Sequence, residues 1–134
     1  MPKTPGLTAD NKLPPPFKTP NCMHSMIDPK DWIHYIKPIP YSGLTRDEAR
    51  ELLRAAVLSL PRTTLVDEKP HYLYFESLTK SGKFTDDVEF LLPEGENVIH
   101  MRSSSRVGFN DWNVNRNRLE AVRQAFEEKR KAQK

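Results

Sequence analysis

Two segments of the chain carry apolar residues at helical spacing. The first begins at the capping box Thr45-Arg46-Asp47-Glu48, ends before Pro61, and places its apolar residues on one face: Leu52, Leu53, Ala56, Val57 and Leu60. The second extends from Asn115 to about Lys131, with the apolar face Leu119, Val122, Ala125 and Phe126. This pattern predicts two amphipathic helices.

Between the two helices the pattern changes to the alternation that is typical of β-strands. Four such segments are separated by turn sequences: residues 63–66, 71–78, 87–92 and 98–105. A glycine-containing loop over residues 107–114 then leads into the second helix. The order α-β-β-β-β-α predicts an α+β fold, with a four-stranded antiparallel meander that carries both helices on one face.

The chain before the first helix is rich in proline, with nine of the 12 prolines in the first 40 residues. Proline removes backbone donors and biases the residue before it toward extended conformations. The stretch from Cys22 to Tyr41 is nevertheless too apolar for a solvated tether. We therefore predict a mobile tail over residues 1–16, an extended arm over residues 17–43 that packs on the domain, and the α+β domain over residues 44–134.

Composition excludes several classes of protein. A chain of 134 residues forms one domain, and a single cysteine, Cys22, makes neither an internal disulfide nor a four-cysteine zinc site. No apolar run approaches the roughly 20 residues of a membrane helix, and the N-terminus does not have the pattern of a signal peptide. We expect a cytoplasmic protein, or one in the soluble phase of an organelle such as a plastid if it is processed from a precursor.

Charge is unevenly distributed along the chain. Residues 61–98 carry 4 basic and 8 acidic side chains, whereas residues 99–134 carry 9 basic and 4 acidic ones. The densest polar segment extends from Arg102 to Arg118, and strand alternation places Arg102, Ser104 and Arg106 on one face of the sheet. Ser103 and Ser105 then lie on the opposite face.

Two interpretations of this polar segment stay open. In one, its arginines pair with the acidic residues Asp86, Asp87 and Glu89, so the cluster is structural. In the other, the arginines, with Arg116 at the start of the second helix, bind an external anion. The two interpretations are compatible, because a paired network can border a binding site.

Other chemistry finds less support in the sequence. Cys22 is a candidate reactive thiol, since His24 faces the same side of an extended chain, and a buried inert thiol is the alternative. Ser103 lacks the glycines of a nucleophile elbow. We predict no metal site, because the histidines have no ligand spacing, and no cofactor, because the glycines form no phosphate-binding motif. We also expect no nucleic-acid ligand, because the sheet segments are net acidic.

Several motifs carry a family resemblance. They are Pro20-Asn21-Cys22 with Ser25, His34 to Pro38 leading to Tyr41, Pro61-Arg62, Asp86-Asp87-Val88-Glu89-Phe90, Val98 to Gly108, and Asn115-Arg116. From about Phe17 to Phe126, the chain resembles the domain-of-unknown-function family numbered 1499, which occurs in bacteria, algae and plastids. The resemblance gives a family and the extent of the match along the chain, and it implies no particular activity.

The residues that the resemblance marks form one candidate set of site residues: Cys22, Asp86, Asp87, Glu89, Arg102, Ser103, Ser105, Arg106, Asn115 and Arg116. Relatives often have Val-Ser where this chain has Met23-His24, which weakens His24 as a catalytic base. They often have glycine at the position of Asn113, and asparagine also tolerates a positive φ.

We therefore expect a non-enzymatic binding or interaction domain. Its Asp/Glu–Arg/Ser cluster would hold the arm, a small polar or anionic ligand, or a protein partner. The alternative is a thiol- or serine-dependent enzyme that acts through Cys22 or Ser103. The apolar arm also suggests a subunit of a larger assembly.

Overall fold

Both predicted helices are present, and the first begins at the predicted capping box, whereas the second begins one residue before the predicted Asn115. The structure, a computed structural model, describes residues 5–16, 20–107 and 113–133. Helix α1 (Arg46–Leu58) starts with the capping box, in which Glu48 N–H donates to Thr45 Oγ1 at 3.1 Å and Thr45 N–H donates to Glu48 Oε1 at 2.9 Å. Helix α2 (Val114–Ala132) follows Asn113, whose φ of 66° is left-handed, so asparagine does replace glycine at this turn.

Among the described residues, six strands form the antiparallel sheet: β1 (Cys22–His24), β2 (Ile39–Pro40), β3 (Thr63–Lys69), β4 (Tyr72–Leu78), β5 (Thr85–Leu91) and β6 (Val98–Ser105). The main path runs β1-β6-β5-β4-β3, and β2 pairs with the other end of β6. The α+β class, the antiparallel sheet and the two helices are confirmed.

The prediction of a four-stranded sheet is wrong, because two segments of the proline-rich arm also form strands. Cys22 pairs with Ser104, and Ile39 pairs with Ile99, so both segments cover the edge that β6 would otherwise expose. Pro40 is the last residue of a two-residue strand, where a missing N–H removes little pairing. Proline content therefore argues against long strands here but not against short edge strands.

The larger hydrophobic core of the described residues lies between the sheet and both helices. It joins Leu53 of α1 and Phe126 of α2 to Val88 and Phe90 of β5. The arm contributes Met23, Ile36, Ile39 and Tyr41 to this core, whereas Trp32 and Ile33 are exposed. Within the described residues, neither helix combines the length and apolar character that crossing a bilayer requires.

The opposite face of the sheet, here called the outer face, is covered in part by residues 5–16, here called the N-terminal segment. Leu13 is buried there and packs with Tyr72 and Leu91. Residues 1–4 and 17–19 lie outside the described part of the chain, as do residues 108–112 of the predicted loop. The mobility of residues 1–16 and the domain boundaries stay predictions.

Candidate functional site

Strand alternation divides the predicted polar cluster between the two faces of the sheet. β5 and β6 pair in the register Asp86↔Ser105 and Glu89↔Arg102. Asp86, Ser103 and Ser105 face the helices, whereas Asp87, Glu89, Arg102 and Arg106 lie on the outer face. The predicted single cluster is therefore two clusters, and arginine pairs with a carboxylate in each of them.

The first cluster, here called the helix-side network, consists of Asp86, Ser103, Ser105, Asn115 and Arg118. Arg118 of α2 lies at its centre: NH2 donates to Asp86 Oδ2 at 2.8 Å, and NH1 donates to Asn115 Oδ1 at 2.9 Å and to Ser103 Oγ at 3.1 Å. Asn115 Nδ2 also donates to the carbonyl of Asn21 at 3.1 Å. These bonds hold the start of α2 to both β6 and the arm.

On the outer face, a buried ion pair joins β5 to β6. Arg102 NH1 lies 3.1 Å from Glu89 Oε1, and the two side chains are 1% and 0% exposed. Glu89 Oε2 accepts hydrogen bonds from the Tyr72 hydroxyl at 2.5 Å and from the Gly6 N–H at 2.6 Å. Arg102 NH2 donates to the carbonyl of Pro15. This pair therefore binds the N-terminal segment through both of its members.

A second ion pair on the same face is open to solvent on one side. The guanidinium of Arg106 bonds to both carboxylate oxygens of Asp87 and, at 2.6 Å, to Glu76 Oε2. The Tyr74 hydroxyl donates to Asp87 Oδ1 at 2.5 Å. Burial and the bond to Asp87 raise the pKa of Tyr74, and the bonds to Asp87 are the main reason why the pKa of Arg106 is raised. The phenol of Tyr74 therefore stays protonated and the guanidinium of Arg106 stays charged near neutral pH.

His24 of β1 is buried under the N-terminal segment. Its Nδ1 accepts from the N–H of Met26 at 3.0 Å, so in the neutral ring the proton lies on Nε2, which donates to the carbonyl of Pro14 at 2.7 Å. Burial lowers the pKa of His24 to about 4, and the nearby charge of Arg102 contributes to this shift. The ring is therefore neutral at pH 7 and acts as a link between the sheet and the segment.

Two further predicted residues are not part of either cluster. Cys22 is fully buried on β1, and its Sγ lies 4.0 Å from the carbonyl of Met23. Arg116 extends away from the helix-side network and donates to the carbonyl of Trp32 at 3.2 Å. Across the described ranges, no three side chains of His, Cys, Asp or Glu come together as a metal site would require.

A groove opens beside the helix-side network, where the end of α1, the end of β4 and the start of α2 meet. Its volume is about 360 Å³. Three cationic side chains line it: Arg62, Lys80 and Arg118. The apolar part of its wall comprises Leu60, Pro61, Leu78, Val114 and Ala121. We call this the Arg118 groove.

Sequence reasoning missed this groove and several residues of the two clusters. Arg118 lies three positions after Asn115 in α2, and this spacing places both residues on one helix face. The spacing alone could therefore have predicted that Arg118 lies beside Asn115. Tyr72 and Tyr74 alternate along β4 with buried apolar residues, but nothing in the sequence sets their register against β5. The groove depends on the relative positions of three distant segments.

Comparison with known proteins identifies a family for this chain. A family model described as a protein of unknown function (DUF1499) matches residues 12–126. No curated protein and no solved structure gives a significant match.

Proposed function

This chain belongs to the DUF1499 family, whose description states no activity, and we propose its function from its own side chains. We propose that it is a non-enzymatic domain that binds a small anion in the Arg118 groove. Its volume of about 360 Å³ lies within the roughly 300–1,000 Å³ of small-molecule sites. We further propose a reducing, soluble compartment, in keeping with a single buried thiol.

The observation that carries the proposal is the charge of the groove. Arg62, Lys80 and Arg118 line it, and among the described lining residues none is aspartate or glutamate. Asp86 lies behind Arg118 and neutralises that one cation, so an excess of two positive charges remains. A concave wall with this excess favours an anionic ligand over a neutral or cationic one.

Two features prepare these cations for binding. Arg118 is held by three side chains of the helix-side network, so little rotamer freedom remains to be lost when a ligand arrives. Arg62 has a left-handed backbone with φ of 58°, a conformation that is costly for a residue with a side chain. Such strain is concentrated at functional sites in proteins, and here it lies in the wall of the groove.

The outer-face pairs have a different role in this proposal. Glu89 and Arg102 are almost completely buried, and their described bonds are to each other, to the sheet and to the N-terminal segment. We propose that they hold this segment on the sheet. A ligand would have to displace the segment to reach them.

The geometry supports binding more than nucleophilic catalysis. Ser103 is fully buried, and its described hydrogen bonds are to Asn115 and Arg118, neither of which is a general base. Cys22 is fully buried as well, whereas a reactive thiol is partially exposed and lies in an electropositive environment. We therefore rank an enzyme that uses Cys22 or Ser103 below the binding function, as the alternative.

Titration of the full chain with octanoate and, separately, with inorganic phosphate tests the proposal. We expect amide signals in NMR spectra to shift at groove residues such as Leu78 and Ala121 for at least one of the two anions. Lys80→Ala removes an exposed cation from the groove and is expected to weaken binding roughly two- to fivefold.

Lys83→Ala is the matched control, because Lys83 is exposed in the same turn but does not line the groove. Its affinity for the anion should equal that of the wild type. The absence of binding by both anions at millimolar concentration would refute the proposal. Equal weakening by the two lysine variants would also refute it, because the attraction would then be non-specific.

A further inference from the structure

The apolar part of the groove points to a narrower class of ligand. Leu78 and Val114 are 43% and 40% exposed, and both line the groove. Folded proteins do leave single apolar side chains in water, but here two of them meet in a concave wall with Leu60, Pro61 and Ala121. A ligand that covered this wall would gain hydrophobic stabilisation that a bare inorganic anion cannot provide.

The cations of the groove set the charge of the ligand. Asp86 neutralises Arg118, and the two remaining cations, Arg62 and Lys80, are exposed and therefore screened by water. Two exposed cations can balance a head group with a single negative charge, and this head group does not have to be deeply buried. The planar guanidinium of Arg62 suits a carboxylate, which accepts two parallel hydrogen bonds from it.

From these two features, and resting on the function proposed above, we propose that the Arg118 groove binds an amphipathic monocarboxylate, whose carboxylate lies at the cations and whose hydrocarbon chain covers Leu78 and Val114. The volume of about 360 Å³ equals that of roughly twelve water molecules, which is sufficient for the about ten heavy atoms of octanoate. Longer chains would extend beyond the groove into water.

A chain-length series tests this proposal on the full protein. Isothermal titration calorimetry with butanoate, hexanoate, octanoate and dodecanoate should show an affinity that rises with each methylene and then levels off. Complete burial of a methylene gives about a fourfold gain, from about 0.8 kcal/mol, and an open groove gives roughly twofold or more. The levelling should begin near octanoate, because the groove is then filled.

Two ligand controls separate the contributions of charge and chain. Octylammonium has the same chain and the opposite charge, and we expect it to bind at least about tenfold more weakly than octanoate. Inorganic phosphate has charge without a chain. If phosphate binds in the groove and octanoate does not, the proposed anion site stands and the monocarboxylate proposal is wrong.

Leu78→Ala and Leu58→Ala form a matched pair, because both leucines are 43% exposed and only Leu78 lines the groove. Leu78→Ala should weaken octanoate binding roughly three- to tenfold, whereas Leu58→Ala should leave it unchanged. An affinity that does not vary with chain length, or equal effects of the two leucine variants, would overturn the proposal. Binding that depends on Lys80 but not on chain length would still support the broader function.

Discussion

The buried pair Glu89–Arg102 allows the sharpest prediction about stability. Glu89→Gln keeps the shape of the side chain but removes its charge, which leaves the guanidinium of Arg102 in a site that is 1% exposed. The new amide group also brings two donors to a position where the carboxylate accepts from Tyr72, Gly6 and Arg102. At least one of these donors then loses its acceptor.

The expected loss is large for a domain of this size. Removal of one member of a buried ion pair costs about 3–5 kcal/mol, because the remaining charge is left uncompensated. Single domains unfold with a free energy of about 5–15 kcal/mol, so Glu89→Gln should remove a large part of the stability. Replacement of the whole pair in Glu89→Leu/Arg102→Met leaves no buried charge and should recover part of this loss, while the Tyr72 hydroxyl and the Gly6 N–H still lack the acceptor that Glu89 provides.

Urea denaturation followed by far-UV circular dichroism measures both effects. Glu120→Gln is the matched control, because Glu120 forms an exposed pair with Arg123 at 2.9 Å on the surface of α2. Its expected cost is below about 1 kcal/mol. A loss of less than 1 kcal/mol in Glu89→Gln would refute the reasoning, as would a double variant that is less stable than Glu89→Gln.

Two further predictions concern protonation and capping. Because burial lowers the pKa of His24 to about 4, the unfolded chain binds this proton more readily, and stability should fall by about 1 kcal/mol as the pH drops from 7 to 5.5. His24→Gln should flatten this dependence in urea titrations across the same pH range, and an unchanged slope would contradict the assignment. Thr45→Ala should lower the free energy of unfolding by about 1 kcal/mol, because it removes the acceptor for Glu48 N–H; calorimetry should show that Thr45→Ser retains most of the stability.

The elements that local chemistry determines could be predicted from the sequence. The start of α1 follows from the capping box, and the turn before α2 follows from the conformational tolerance of Asn113. Alternation along β6 correctly places Arg102 and Ser103 on opposite faces. In each of these cases, the information lies within a few neighbouring residues.

Features that depend on distant contacts could not be predicted in this way. Proline content concealed β1 and β2, whose pairing is determined by the exposed edge of β6 and not by their own composition. The sequence predicts Arg116 in the site, but its side chain donates to the carbonyl of Trp32, and Arg118 lies beside Asp86. Arg116 and Arg118 are two positions apart and therefore point to different sides of α2. The packing of α2 on the sheet determines which of the two arginines faces the sheet.

The contact between Gly6 and Glu89 spans 83 residues, and the contact between Asn115 and Asn21 spans 94. At about 5–20 residues per second, a ribosome needs roughly 4–17 seconds to make the chain between the first pair. During that time the apolar arm has no β6 to pair with. Nascent chains of this protein therefore carry an unpaired apolar arm until β6 has been made, and chaperones that bind extended apolar peptides have that interval in which to bind it.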